Sequence, residues 1–312
     1  MHTLSIIFPV FAVAMLGYVL TWLGVFRTRD VPGLTRYVFY IALPVMLFDS
    51  MSRVALPEAV RWSFLLAYYV PTLLVFFLGM SIVRKAFRFK LTEQGMFGMG
   101  SAYSNTVLIG LPVITTAWGD VAILPLMMII AVHSAVLFSL TTMLAESGRS
   151  RDGGIVTAGF RTALGMLRNP IVGGLVVGLL FNLFAIPIPA SVATITGWIR
   201  GSAMPAALFV TGASLQQYRL MGHLPETGLM VVLKLVVHPA LVWFTAAVVL
   251  GLPPLWTGVA VVTAALPTGI NASVFATRYR AAVAPVTGSI LVSTLLSIVT
   301  LTVLLAVFAP GA

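Results

Sequence analysis

Long apolar runs, separated by short polar connections, occupy most of this chain. A helix that crosses a membrane needs about 20 mostly apolar residues, and ten such runs can be read along the sequence. We number these segments 1 to 10 in chain order: 3–24, 33–52, 63–84, 95–117, 121–145, 169–187, 197–217, 227–250, 255–277 and 284–308. The pattern predicts an all-α membrane protein with ten transmembrane helices.

Composition supports the membrane class and excludes several others. Of the 312 residues, 60% are hydrophobic and 8% are charged, whereas soluble domains average about 25% charged residues. The net charge of +10 is not gathered on a basic face with interleaved aromatic residues, so we expect membrane lipid and not nucleic acid as a partner. The chain has no cysteine, which excludes disulfides and thiolate metal sites.

Basic residues are distributed unevenly among the connections. The connections after segments 1, 3, 5, 7 and 9 hold 14 Lys and Arg residues, whereas the opposite side holds three. Short connections rich in Lys and Arg stay in the cytoplasm. The count predicts a multi-pass protein of the cell (inner) membrane, with the polar stretch 148–168 as a cytoplasmic linker and both termini on the extracytoplasmic side.

The two halves of the chain resemble each other at a nearly constant offset. Pro9 in segment 1 recurs as Pro170 in segment 6, and Pro44 in segment 2 recurs as Pro205 in segment 7, each 161 positions later. Because each half has an odd number of segments, the second half must enter the membrane from the opposite side. We therefore predict two inverted five-helix repeats, which is the architecture of many secondary carriers.

Segments 4 and 9 carry proline, glycine and asparagine near their centres, where a spanning helix normally runs unbroken. Lipid offers no hydrogen-bond partners, so backbone freed by such breaks must line an enclosed cavity or meet a ligand. The alternative is a proline kink that neighbouring helices satisfy. Paired breaks in corresponding halves favour a substrate site. We predict that it is formed by Ser104, Asn105, Thr106, Gly110, Pro112, Pro267, Thr268, Gly269 and Asn271.

The chemistry of these breaks indicates a negatively charged substrate. A half-helix that begins at a break presents unpaired N–H groups and about half a positive charge, which bind carboxylates well. Asn105 and Asn271 can each donate and accept hydrogen bonds. The site predicted from the residues is therefore one for a small organic anion.

Four ionisable residues within the apolar segments are candidates for ion coupling: Asp49, His133, Lys234 and His238. Three of them also have a structural alternative. Asp49 is spaced to pair with Arg53 at i+4, and His133 suits a hydrogen-bonded packing role. Lys234 is expected to extend toward the cytoplasmic interface, leaving only its aliphatic stem in the apolar layer.

Several motifs together resemble the auxin efflux carrier family, which includes bacterial malonate and malate carriers and the plant PIN auxin carriers. The resemblance extends over essentially the whole chain. It is carried by Phe39-Tyr40-Ile41-Ala42-Leu43-Pro44, Ser104-Asn105 with Gly110-Leu111-Pro112, Arg168-Asn169-Pro170, and Leu266-Pro267 with Asn271-Ala272.

The resemblance implies a fold related to sodium/proton antiporters and bile-acid symporters, in which segments 4 and 9 cross at their broken centres. It also implies that segments 1, 2, 6 and 7 form a scaffold that dimerises, while segments 3–5 and 8–10 form a moving transport domain. The first repeat would comprise 1–147 and the second 169–312. Substrates in the family are mostly organic anions.

We therefore predict a secondary transporter of a small carboxylate that works by alternating access. A sodium- or proton-coupled symporter of the bile-acid type is the alternative, and the coupling ion is left open. A cation/proton antiporter is disfavoured because segments 4, 5, 9 and 10 contain no central Asp or Glu. An intramembrane enzyme is disfavoured because the chain has no Gly-x-Ser-x-Gly or His-Glu-x-x-His motif. We expect no enzyme activity, cofactor or metal.

Overall fold

Helices account for nearly all of the structure. The computed structural model describes residues 2–53, 62–147, 170–218 and 222–309, and within these ranges it contains no β-strand. A single isolated antiparallel bridge joins Ser104 to Thr268. The predicted linker 148–168 lies outside the described residues.

Twelve helices are described, and each predicted segment contains one, except that segments 4 and 9 contain two each. They are α1 (His2–Trp22), α2 (Thr28–Arg53), α3 (Trp62–Ala86), α4 (Leu91–Ala102), α5 (Thr106–Gly110, continuing as Leu111–Trp118), α6 (Ile123–Ser147), α7 (Pro170–Leu183), α8 (Ala190–Leu215), α9 (Leu224–Val249), α10 (Pro254–Ala264), α11 (Asn271–Tyr279) and α12 (Val283–Phe308).

Five helical stretches of the described residues are long and apolar enough to cross a membrane, judged by length and composition. They are Thr28–Arg53, Trp62–Ala86, Thr106–Ser147, Leu224–Val249 and Val283–Phe308. The third of these contains both α5 and α6, which the short 3₁₀ turn Gly119–Ala122 joins. Shorter apolar helices accompany them in segments 1, 6 and 9. The chain is therefore a multi-pass membrane protein.

The boundaries of segments 6 and 7 differ from the prediction. Helix α7 ends at Leu183, four residues early, and Ala185 then takes a left-handed backbone conformation (φ 49°). Pro187 and Pro189 follow, and prolines are common just after a helix ends because they cannot continue it. Helix α8 begins at Ala190, seven residues early, because Pro189 supplies an extended residue directly before its first turn (φ −56°, ψ 144°).

The two predicted breaks are present and have local causes. Helix α4 ends where Tyr103 becomes extended (φ −76°, ψ 112°). Helix α10 ends just before Leu266, whose helical conformation is disfavoured by the ring of Pro267. Each segment resumes a few residues later, as α5 and α11.

The most extensive packing divides the helices into two groups. Helices α1 and α8 pack together, as do α2 and α7, and α8 also contacts α2. The first contact is close because Gly212 lies directly against the backbone of Ala14, where a β-carbon would clash. In the second group, α3 and α6 pack on α4, while α9 and α10 pack on α12. The broken segments cross within this second group.

Candidate substrate site at the helix crossing

The two breaks pair with each other through their backbones. The Asn105 N–H donates to the carbonyl oxygen of Pro267 at 2.9 Å, and the Gly269 N–H donates to the carbonyl oxygen of Tyr103 at 2.9 Å. These two bonds flank the antiparallel bridge and are related by its local twofold symmetry. Backbone groups freed by one break are thus satisfied by the other.

Neighbouring helices complete the crossing from either side. The Ser104 N–H donates to Nε2 of His133 on α6 at 3.0 Å, and the Thr268 N–H donates to Oγ of Ser293 on α12 at 3.0 Å. All four residues are buried. Because Nε2 of His133 accepts a hydrogen bond, that nitrogen carries no proton, and the ring is neutral in this arrangement.

Four helix ends meet at the crossing. Helices α4 and α10 end there, whereas α5 and α11 begin there. The N-termini of α5 and α11 bring two partial positive charges together at one point. The arrangement therefore suits an anion in the space that these two ends face.

A cavity of about 1160 Å³ reaches the crossing from one face of the molecule. Its outer part is lined by Arg36, Gln217 and Arg278, which belong to the side with the Lys- and Arg-rich connections. Helices α2, α6 and α11 supply most of the remaining lining residues. Five predicted site residues line its inner part: Ser104, Asn105, Thr106, Gly269 and Asn271.

The other four predicted site residues, Gly110, Pro112, Pro267 and Thr268, are buried at the crossing and are not among the residues that line the cavity. Thr268 instead donates from Oγ1 to the carbonyl oxygen of Gly100 at 2.9 Å, at the end of α4. These four residues therefore pack within the crossing, on the side away from the cavity.

The two asparagines are held differently. Nδ2 of Asn271 donates to the hydroxyl oxygen of Tyr103 at 3.1 Å, and that hydroxyl lies 3.0 Å from Oγ of Ser134. The Asn105 side chain caps no helix end, and it has no hydrogen-bond partner in the part of the chain that the structure describes. Asn105 is 7% exposed and lines the cavity, so its amide is available to a ligand.

Asp49 lies on α2 and is not among the residues that line the cavity. Its carboxylate is buried and pairs with Arg53 at 3.0 Å, which confirms the predicted i+4 pair. A shorter bond of 2.7 Å joins it to Arg200 on α8. The second partner could not be read from the sequence because it lies 151 positions away.

Lys234 contradicts the expectation that it extends to the interface. Its side chain is 0% exposed, and Nζ donates to the carbonyl oxygen of Ala264, the last residue of α10. The reason is local, because the end of a helix leaves carbonyl groups without intrahelical donors. Its neighbour His238 is also buried, with Nε2 at 2.9 Å from Oγ1 of Thr72 on α3.

Sequence reasoning missed Tyr103, Ser134, Thr72 and Ser293. For two of these residues, the position in the sequence could have indicated a role at the site. Tyr103 directly precedes the Ser104-Asn105 motif, and Ser293 follows His133 by 160 positions, close to the repeat offset. Ser134 and Thr72 are ordinary hydroxyl residues in apolar helices, and nothing in the sequence distinguishes them.

Apolar helices that enclose a polar crossing of broken segments define a membrane carrier. The profile of the family described as "Membrane transport protein" matches residues 2–305. The chain belongs to this family, which is the auxin efflux carrier group indicated by its motifs.

Two relatives align along almost their entire length. A protein of Rhizobium meliloti (strain 1021), described as a "putative malonate transporter", is 29% identical over 318 residues, which cover 99% of this chain and 96% of the relative. An "uncharacterized transporter" of Methanothermobacter thermautotrophicus is 26% identical over 305 residues, covering 96% of this chain and 97% of the relative. The "lysosomal cholesterol signaling protein" of Mus musculus is 25% identical over 219 residues, only 25% of its own length.

Proposed function

We propose that this protein is a secondary transporter that moves a small organic anion by alternating access at the helix crossing. One observation carries the proposal: an open cavity ends at Asn105 and Asn271, where the N-termini of α5 and α11 converge. Substrate sites of secondary carriers lie at such discontinuous helices.

The electrostatics of the cavity favour an anion over a cation. Among the lining residues that the structure describes there is no Asp or Glu, whereas Arg36 and Arg278 lie near the mouth. Two helix N-termini and the Asn105 amide supply hydrogen-bond donors at the inner end. A carboxylate matches this donor set, and the name of the Rhizobium meliloti relative mentions the dicarboxylate malonate.

The proposal includes the ten-segment architecture. In it, 1–147 and 169–312 are inverted repeats, which the antiparallel pairing of Ser104 with Thr268 supports. Segments 1, 2, 6 and 7 form the scaffold and the other six form the transport domain, in agreement with the two packing groups. We further propose a homodimer through the scaffold, a location in the cell membrane, and extracytoplasmic termini.

Uptake into liposomes tests the proposal directly. The purified protein is reconstituted, and radiolabelled mono- and dicarboxylates, including malonate and malate, are supplied with and without imposed pH and Na⁺ gradients. We expect accumulation of at least one carboxylate above protein-free liposomes. A protein that moves none of the panel under any gradient would contradict the proposed substrate class.

The asparagines provide the sharpest substitution test. We expect Asn105→Ala and Asn271→Ala each to lower uptake by at least about tenfold, because a hydrogen bond to a charged group contributes about 1.5–3 kcal/mol. Asn182→Ala is the matched control, since Asn182 lies on α7 and donates to the carbonyl oxygen of Met51, away from the cavity. Normal uptake by both cavity variants would rule out the crossing as the substrate site.

A further inference from the structure

Two helix C-termini meet at the crossing, and a different side-chain group donates a hydrogen bond to the free carbonyls of each. The end of a helix carries carbonyl oxygens without donors and a partial negative charge. At the end of α4, the hydroxyl of Thr268 donates to Gly100. At the end of α10, the amino group of Lys234 donates to Ala264. One end therefore receives a neutral hydroxyl and the other an amino group.

These two ends occupy equivalent places in the two halves. Ala264 follows Gly100 by 164 positions, the same separation as between the bridged residues Ser104 and Thr268. The repeat thus supplies an internal comparison. The amino group is an addition specific to the second half and is not required by the backbone geometry of a break.

The setting of Lys234 is unusual for a lysine. It lies in a π-helical turn of α9, Leu233–Val237, and is fully buried. The ion pairs found among the described residues do not include it. A buried amino group without a carboxylate is costly within a membrane, so the carbonyl end of α10 is the compensation that the structure provides.

In secondary carriers, half-helix C-termini and unwound carbonyls are the groups that coordinate a coupling Na⁺. We propose that the amino group of Lys234 occupies the position of such a cation at the end of α10, and that the carrier therefore transports its anion without Na⁺. This inference rests on the proposed transport function. The amino group takes the acceptor that Na⁺ would need, and when protonated it also repels a second cation.

Thermal unfolding of the purified full-length protein tests this without any substrate. A ligand that binds the folded state raises the melting temperature, so we expect the wild-type Tm in NaCl and in KCl at equal ionic strength to agree within about 1 °C. Lys234→Ala should melt at a lower temperature, and ammonium or ethylammonium, but not choline, should restore part of the loss. Lys85→Ala is the matched control, because Lys85 is an exposed lysine near the end of α3.

Lys234→Met supplies a second variant, because methionine fills similar volume but cannot donate a hydrogen bond. We expect it to melt below the wild type and to gain nothing from ammonium, since the side chain leaves no space. A wild-type Tm that rises with Na⁺, or a Lys234→Met protein that matches the wild type in both Tm and uptake, would overturn the inference.

The design separates this inference from the proposed function. If no carboxylate is taken up while the wild-type Tm stays insensitive to Na⁺ and ammonium rescues Lys234→Ala, the transport proposal fails, but the placement of the Lys234 amino group in the cation position at the end of α10 stands. If uptake occurs but requires a Na⁺ gradient, the transport proposal stands and the inference about Lys234 fails.

Discussion

The breaks in segments 4 and 9 share one backbone arrangement but complete it with different side chains. Each contributes one N–H and one carbonyl to the pair, and each sends a further N–H to a neighbouring helix. In segment 4 that acceptor is a histidine ring, whereas in segment 9 it is a serine hydroxyl. The backbone pairing is common to both breaks, and the helices around each break determine its side-chain chemistry.

The difference extends to the two cavity-facing asparagines. Asn271 is held by Tyr103, while the amide of Asn105 has no protein partner among the described residues. A tethered amide keeps one orientation and a free one can turn to suit a ligand, so the two are not interchangeable. We infer that the segment 9 break presents a rigid contact and the segment 4 break an adaptable one.

Replacing the two acceptors separately is the strongest way to test this comparison. We expect His133→Leu to lower the free energy of unfolding by about 3 kcal/mol, because it leaves the buried Ser104 N–H unpaired and removes the ring that stacks on Tyr103 at 4.8 Å between centroids. Ser293→Ala should cost about 1–2 kcal/mol, since it leaves only the Thr268 N–H unpaired. Denaturant unfolding in detergent measures both, and equal losses would contradict the asymmetry.

The two breaks also differ in how much space surrounds their glycines, Gly269 and Gly110. A β-carbon on Gly269 would lie 2.5 Å from the Tyr103 ring and 3.2 Å from the Ser104 carbonyl oxygen. On Gly110 it would instead meet the end of the Leu266 side chain, which can adjust. We expect Gly269→Ala to cost about 2 kcal/mol and Gly110→Ala about half as much, as overpacking does. The same unfolding assay ranks them, and the reverse order would show that the Tyr103 ring is not rigidly held.

The breaks themselves could be predicted because proline, glycine and asparagine in a membrane-length apolar run have few physical explanations. Asn105 and Asn271 were found in this way, and both line the cavity. Contacts between distant segments could not be predicted, because an apolar helix does not reveal which neighbour each face meets. Lys234 is the clearest case, since its depth depends on the carbonyl of Ala264.

The same limit applies to paired charges. The pairing of Asp49 with Arg200 depends on which helices pack side by side, and the sequence predicted only the local partner Arg53. The count of Lys and Arg residues predicts which connections share a side of the membrane, but it does not identify the residue that each charge meets.

The smallest effect on stability is expected at Asp120, which lies in the connection just after α5. Its carboxylate lies 3.7 Å from Arg200, and its side chain is 84% exposed, so the pair contributes little in water. We expect Asp120→Asn to change the free energy of unfolding by less than about 0.5 kcal/mol. Asp49→Asn is the comparison, because the same arginine is 2.7 Å from this buried carboxylate, and its loss should cost about 1–3 kcal/mol. If Asp120→Asn were as costly as Asp49→Asn, the connection after segment 4 would contribute as much to stability as a buried ion pair. The contrast between the two breaks could then not be assigned to the crossing alone.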